Sequence, residues 1–179
     1  RTTKINAEHF KAFTSPNYPF LIESGVHLKI NSDLFLSLNV DTRLQVHKKL
    51  DTNVIILKLF PGISEQLIDA VVAIPNLRGI VLETYGSGNA PTDEWFLLVL
   101  KKAILNGIHI INITQCSGGS VRMGQYETSA ALLEIGVISG KDMTTEAAIT
   151  KLMYLLGQNT PPSNFRNRFE TPLRGEIQE

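Results

Sequence analysis

The chain has 179 residues, of which 43% are hydrophobic, a size that fits about one domain with a real core. Seventeen basic residues balance seventeen acidic ones, so charge gives no case for binding nucleic acid or a membrane surface. The single cysteine, Cys116, excludes an intrachain disulfide and favours a cytoplasmic location. No apolar stretch approaches the ~20 residues of a membrane span.

The first part of the chain, residues 1–50, has few regular periods. Turn-forming residues interrupt it at Ser15-Pro16-Asn17, and alternating apolar residues over 33–41 predict a half-buried strand. We expect this part to form extended arms and a linker. Because the chain starts at Arg1 with neither an initiator methionine nor a signal-peptide pattern, we also expect it to be a fragment of a longer protein.

Beyond residue 50, short β-branched runs alternate with helical periods. The runs 54–60, 79–83 and 108–113 predict three strands. Ser64 is expected to cap a helix that continues through Ala73.

Three further helices are predicted downstream. One begins near Pro91 and ends before Gly107, one covers residues 125–135, and one is capped by Thr144 and stopped by Gly157. Residues 139–142 are expected to form a turn. A short amphipathic helix and an exposed tail are expected in residues 158–179.

The alternation of strand, glycine turn and helix every ~30 residues is typical of a parallel sheet with right-handed crossovers. The third strand is too continuously apolar for a sheet with one wet face, so helices are expected on both faces. The sequence therefore predicts an α/β fold, a small parallel β-sheet in a Rossmann- or flavodoxin-like three-layer domain over residues 51–179. Residues 1–50 form the preceding segment and linker.

Two glycine-rich turns are candidate binding sites. Gly86-Ser87-Gly88 follows the second strand, but Pro91 stands where a dinucleotide fingerprint needs its third glycine. Residues 117–120 follow the third strand. They could form a nest of backbone donors for an anion, or simply a tight turn.

Catalytic constellations are sparse. The four histidines are scattered, and His109 lies in an apolar strand, where a core histidine is expected rather than a base. Cys116 follows a strand end, yet no Cys–His pairing is recognisable, so we expect an inert, semi-buried thiol. No metal-ligand spacing is present.

Four ordered blocks of the sequence resemble the C-terminal domain of bacterial cytoplasmic (type I) L-asparaginases. The blocks are Tyr85-Gly86-Ser87-Gly88-Asn89-Ala90-Pro91, Asn112-Ile113-Thr114-Gln115-Cys116, residues 136–147 and residues 151–156. Residues 1–17 are similar to the end of that family's N-terminal domain and the linker after it. The resemblance implies the asparaginase version of the α/β fold predicted above.

The resemblance also implies an amidohydrolase that converts L-asparagine and water to L-aspartate and ammonia through an acyl-enzyme on a threonine. The family's Thr-Gly-Gly-Thr and Gly-Thr-Asp-Thr segments do not occur in these 179 residues. The chain is therefore expected to hold no catalytic residue, metal or cofactor and to be inactive alone. Its implied partners are L-asparagine, its own N-terminal domain and a second subunit in a homodimer or tetramer.

The same resemblance assigns candidate binding residues. Asn89 matches an asparagine that reaches a neighbouring subunit's substrate, with Ser87 beside it and Glu127, next to Tyr126, as a further candidate. The alternative role of Asn89 is to cap the following helix.

Some type I members bind asparagine at a second, allosteric site, and Thr114 and Cys116 match two of its positions. Those members carry an arginine at the position of Glu83. A glutamate at this position cannot clamp a carboxylate, and this puts allostery in doubt.

Two other functions stay open. The chain could be a regulatory module that senses a small amino acid through the turns at Gly86 and Ser117, without catalysis. It could also belong to a glutaminase or to the archaeal amidotransferase subunit for Gln-tRNA, which share this architecture.

Overall fold

The computed structural model describes residues 1–37, 43–125 and 127–178, without the side chains of residues 127 and 128. The strands are β1 (Thr3–Lys4), β2 (Phe13–Thr14), β3 (Ile22–Ser24), β4 (Leu28–Ile30), β5 (Val54–Lys58), β6 (Gly79–Thr84), β7 (His109–Thr114) and β8 (Ile138–Ser139). The helices are α1 (Glu65–Val72), α2 (Glu94–Leu105), α3 (Glu127–Glu134), α4 (Thr145–Gly157) and α5 (Pro162–Glu170).

A parallel four-stranded sheet forms the centre of the molecule. Its strand order is β5-β6-β7-β8, and every neighbouring pair is parallel. This arrangement confirms the predicted α/β fold. Strand β8 was not predicted, and it overlaps the segment predicted as a turn at Ser139. A strand of two residues is too short to show a period in the sequence, and it is recognised only by its pairing with β7.

The core lies on both faces of this sheet. Ile80 and Leu82 point to one face and pack with α1, α2 and α3, whereas Val81 points to the other and packs with α4 and α5. Strand β6 is buried along almost its whole length for this reason. The predicted helical layers on both faces are thus confirmed.

The helix caps follow the sequence at two positions. The side chain of Ser64 accepts a hydrogen bond from the N–H of Leu67, and Thr144 accepts one from Ala147, each at 3.3 Å. The prediction of a helix beginning near Pro91 is wrong, because α2 begins only at Glu94.

The expected C-terminal role of Gly157 is also wrong. Gly157 is the last residue of α4, and the left-handed residue beyond it is Asn159, with φ of 53°. A Cβ at position 157 would collide with the carbonyl oxygen of Lys49. The glycine therefore permits the linker to pass close to the helix.

The first 50 residues form two small antiparallel ladders, β1 with β2 and β3 with β4. The strand predicted over 33–41 is wrong at its start, where Ser32–Leu34 form a 3-10 helix. Residues 38–42 lie outside the described part. None of the described residues in 1–50 is buried, because neither of these short ladders has an apolar layer of its own.

The C-terminal tail corrects another expectation. The amphipathic helix is present as α5, but the tail after it is not simply exposed: Ile177 is buried and Leu173 packs against the core. Polar contacts hold it there. Lys151 donates to the carboxylate of Glu176, and Asp142 Oδ1 accepts from the Gln178 N–H at 2.7 Å.

Candidate functional site

The turn between β6 and α2 closes on itself. The N–H of Tyr85 donates to the carbonyl of Asn89 at 2.9 Å, and the N–H of Asn89 donates back to the carbonyl of Tyr85 at 2.8 Å. Gly86 and Gly88 have φ of 50° and 109° inside this loop. Both values lie in the region that favours glycine, so the two glycines make the tight turn possible.

Side chains from the strand ends fix the turn in place. Thr84 Oγ1 donates to Asn112 Oδ1 at 2.7 Å, and Asn112 Nδ2 donates to the carbonyl of Gly88 at 3.2 Å. Thr114 Oγ1 donates to the carbonyl of Gly86 at 2.5 Å. Thr84 and Asn112 are fully buried, so these bonds are shielded from water and hold the turn firmly.

The far side of the turn touches the segment after β7. A Cβ built on Gly88 would lie 2.7 Å from Val121 Cγ1, and the N–H of Arg122 donates to the carbonyl of Ser87 at 3.0 Å. A larger residue at position 88 would force the two segments apart. The close contact makes the glycine a packing requirement as well as a conformational one.

Asn89 and Ser87, two of the predicted binding residues, lie together in this turn and are half-buried. The alternative that Asn89 caps the next helix is wrong, because Asp93 occupies the N-cap position of α2. The third candidate, Glu127, is the first residue of α3. Its side chain and all of Tyr126 lie outside the described residues.

A cavity of about 420 Å³ opens at the carboxyl end of β7, and Thr114 and Cys116 line it. Glu83 is connected to this cavity through Thr145. Its carboxylate accepts from Thr145 Oγ1, another lining residue, at 2.5 Å and lies 3.9 Å from Lys58 Nζ. The residues of the predicted second site therefore come together, although the Glu83 carboxylate is already bonded.

Cys116 is exposed, so the expectation of a semi-buried thiol is wrong. Its backbone N–H donates to Thr114 Oγ1 at 3.0 Å. Residue 116 lies two residues beyond the end of β7. No histidine is among the described residues that line the cavity beside it.

The side chain of Asn17 hydrogen-bonds to the turn at residues 117–120. The N–H of Gly119 donates to Asn17 Oδ1 at 2.8 Å, and Asn17 Nδ2 donates to the carbonyls of Gly119 and Asp142 at 2.8 and 2.9 Å. The structure favours the tight-turn alternative over an anion nest. Sequence reasoning missed Asn17, and its place in a Ser-Pro-Asn turn was the only available signal.

His109 is half-buried at the edge of the core, so the expectation of a core histidine is met only in part. Its ring stacks on Phe165 with centroids 3.6 Å apart. Burial, helped by the charge of Arg78, lowers the pKa of His109 to about 4. The imidazole is therefore neutral near pH 7.

The described residues contain no group of three His, Cys, Asp or Glu side chains arranged to hold a metal ion. Within the same residues, no helix is both long and apolar enough to cross a membrane.

A parallel sheet between two helical layers, with a rigid glycine turn at its carboxyl edge, defines a three-layer α/β domain with its candidate site at the strand ends. The chain belongs to the Glutaminase/Asparaginase C-terminal domain family, whose pattern matches residues 53–169.

Relatives with several names share this family. The chain is 40% identical to L-asparaginase 1 of Escherichia coli strain K12 over 99% of its own length and 52% of that protein. It is 41% identical to the human 60 kDa lysophospholipase, over 99% of the chain and 31% of that protein. A glutamyl-tRNA(Gln) amidotransferase component of Pyrococcus abyssi is 34% identical, over 76% of the chain and 31% of that protein.

A solved structure agrees over the whole chain. L-asparaginase I from Vibrio cholerae superposes with a TM-score of 0.92 at 37% identity, covering 100% of this chain and 54% of the other. The chain thus spans about half the length of these two asparaginases.

Proposed function

We propose that this chain is the C-terminal half of an L-asparaginase, an amidohydrolase that converts L-asparagine and water to L-aspartate and ammonia. In this proposal a threonine nucleophile and its activating groups belong to an N-terminal domain. A second subunit completes each site, and no cofactor or metal takes part. The observation that carries the proposal is the rigid turn from Tyr85 to Asn89, held by buried hydrogen bonds at the carboxyl edge of the sheet.

An asparagine side chain suits recognition of an amino-acid substrate. Its amide oxygen accepts from an ammonium group and its amide nitrogen donates to a carboxylate, without the cost of burying a charge. Ser87 adds a hydroxyl to the same turn. Because the turn is fixed before substrate arrives, little ordering entropy is lost on binding. Asn89 is thus proposed to hold the amino-acid end of the substrate across the subunit interface, with Glu127 as a further cross-subunit group.

The test uses two forms of the protein. The chain by itself is expected to release no ammonia from asparagine. A chimera that joins it to the N-terminal half of Escherichia coli L-asparaginase 1 is expected to hydrolyse asparagine. Turnover by the isolated chain, or a folded, dimeric chimera that stays inactive, would contradict the proposal.

Single variants of the active chimera then test the binding residue. Asn89→Ala is expected to lower kcat/KM about tenfold or more, the loss typical of a hydrogen bond to a charged group. Asn106→Ala is the matched control, because Asn106 is an exposed asparagine at the C-cap of α2, away from the turn. Equal kinetics for the two variants would remove Asn89 from substrate binding. Glutamine assayed beside asparagine in the same series separates the glutaminase alternative.

The cavity beside Thr114 supports a second candidate function, regulatory binding of a small amino acid. Its volume of about 420 Å³ is ample for one asparagine, and Thr114, Cys116 and Thr145 supply polar groups. A sigmoidal asparagine saturation curve that becomes hyperbolic in Thr145→Val would support regulation at this cavity. A curve that is hyperbolic from the start would exclude it.

A further inference from the structure

A second cavity lies on the other helical layer and shares no lining residue with the cavity at the carboxyl edge. Its volume is about 430 Å³, within the usual range of small-molecule sites. Helix α4 forms one wall, α5 and the C-terminal tail form the second, and the linker contributes His47. The lining residues used below are Lys151, Tyr154, Arg168, Arg174 and Glu176.

Basic side chains outnumber acidic ones among the described residues that line this cavity. Lys151, Arg168 and Arg174 line it together with His47, and Glu176 is the only carboxylate among the described lining residues. The Lys151 side chain is 3% exposed, so its ammonium is buried at the inner wall. The charge of the lining is therefore positive, and an anionic ligand would be attracted to it.

Glu176 has no bonding capacity to spare for the two arginines. Its carboxylate accepts from Lys151 Nζ and from the backbone N–H groups of Leu173 and Arg174, the latter at 2.6 Å. Burial by itself would raise the pKa of Glu176, but these hydrogen bonds outweigh burial and hold that pKa below its ordinary value. The carboxylate stays ionised and committed to Lys151 and the tail.

Arg168 and Arg174 line the rim of the cavity without a carboxylate partner. Both side chains are exposed, and neither guanidinium lies within 4.0 Å of a carboxylate oxygen among the described side chains. Arg174 Nη1 donates to the carbonyl of Leu173 at 2.6 Å, which fixes that guanidinium and leaves its other donors for a ligand. Guanidinium groups match phosphate oxygens with two parallel hydrogen bonds. Two such groups beside one cavity favour a ligand with two negative charges.

The rest of the lining includes apolar and aromatic side chains from both walls. Ala147 and Leu173 line the cavity with the ring of Tyr154, which meets the His47 ring edge-on with centroids 5.5 Å apart. Such a lining suits a compact apolar or aromatic body. We propose that this cavity binds a phosphate monoester whose phosphate lies between Arg168 and Arg174 and whose body packs against Tyr154.

Phenyl phosphate is the probe, titrated into the chain by calorimetry at low ionic strength. Inorganic phosphate tests the charge alone, and benzoate tests a singly charged anion with the same ring. Phenyl phosphate is expected to bind saturably, about tenfold or more tighter than either comparison compound. Absence of saturable binding, or equal affinity for inorganic phosphate, would overturn the proposal.

Arg168→Gln tests the assignment, and Arg166→Gln is its matched control. Both remove one positive charge from α5, but Arg166 lies outside this cavity and pairs with Glu170. Arg168→Gln is expected to weaken phenyl phosphate binding about tenfold, whereas Arg166→Gln should change it less than about twofold. Equal weakening by both substitutions would reduce the effect to general surface charge and overturn the site. Because Arg168 is exposed, its replacement leaves the core intact.

Discussion

The two parts of the molecule bury their apolar side chains in opposite ways. Residues 51–178 enclose two apolar clusters, one on each face of the parallel sheet. In the described part of residues 1–50 no apolar side chain is buried, and large apolar groups such as Phe10 and Val26 are almost fully exposed. The first part therefore derives little stability from its own packing, while the second has a complete core.

Polar contacts, rather than a shared core, hold the first part on the second. Arg1 pairs with Asp142 at 3.1 Å, and Asn17 bonds to the segment after β7. Thr3 Oγ1 donates to Glu146 at 2.8 Å. Residues 51–178 therefore set the global stability, whereas residues 1–50 depend on them for their position.

The largest expected contrast comes from matched phenylalanines. Phe96 is fully buried in α2 and Phe10 is fully exposed. Phe96→Ala should lower the free energy of unfolding by about 3–5 kcal/mol, because it leaves a cavity, whereas Phe10→Ala should change it by less than about 0.5 kcal/mol. Urea denaturation of both variants measures the difference. Similar losses would mean that residues 1–50 share the core.

Ion pairs in the two parts give the next contrast. Lys151 and Glu176 form a buried pair in the second part, whereas Lys29 and Glu23, 3.1 Å apart, form an exposed pair in the hairpin of β3 and β4. Glu176→Gln should destabilise by about 3 kcal/mol, because it leaves the buried Lys151 ammonium uncompensated.

Glu23→Gln is the control and should cost less than about 1 kcal/mol, since solvent screens its pair. Thermal unfolding followed by circular dichroism compares the two. Equal losses of stability in the two variants would mean that burial does not determine how much each ion pair contributes.

Acid sensitivity should come largely from the second part, through His109. Its pKa falls from 6.5 to about 4 on folding, because burial and Arg78 disfavour the charged ring. The unfolded chain therefore binds the proton more readily, and stability should fall as pH drops from 6.5 towards 4. The loss between pH 7 and pH 5 is about 1–2 kcal/mol, since solvent reaches part of the ring and screens its charge.

Unfolding free energies at a series of pH values test this prediction. His109→Phe, which keeps a ring against Phe165, should remove most of the slope in this window. An unchanged slope in that variant would assign the acid sensitivity to other groups.

The smallest effect on global stability is expected at Asn17. Asn17→Ala removes three hydrogen bonds between residues 1–50 and residues 51–178. Residues 1–50 should then become more sensitive to protease, while the melting temperature changes little. Asn6→Ala is the control, since the Asn6 side chain accepts local bonds from Glu8 and His9. Limited proteolysis with mass spectrometry detects the difference. Equal cleavage rates would show that Asn17 does not anchor residues 1–50.

Local patterns were enough to predict the parallel sheet, its two helical layers and the helix caps at Ser64 and Thr144. Those features rest on periodicity and on capping side chains that act within a few residues. The glycine turn at residues 86–88 was also predicted, from the apolar run that ends at its glycines, whereas the binding role of Asn89 comes from the family resemblance and stays a prediction.

Contacts between distant segments, in contrast, appear only in the folded structure. There Asn17 hydrogen-bonds to Gly119, and β8 pairs with β7. The bond from Lys151 to Glu176 holds the C-terminal tail against α4. Each contact joins groups more than twenty residues apart, so no local period encodes it. Their stability depends on desolvation and packing that exist only after the core has formed.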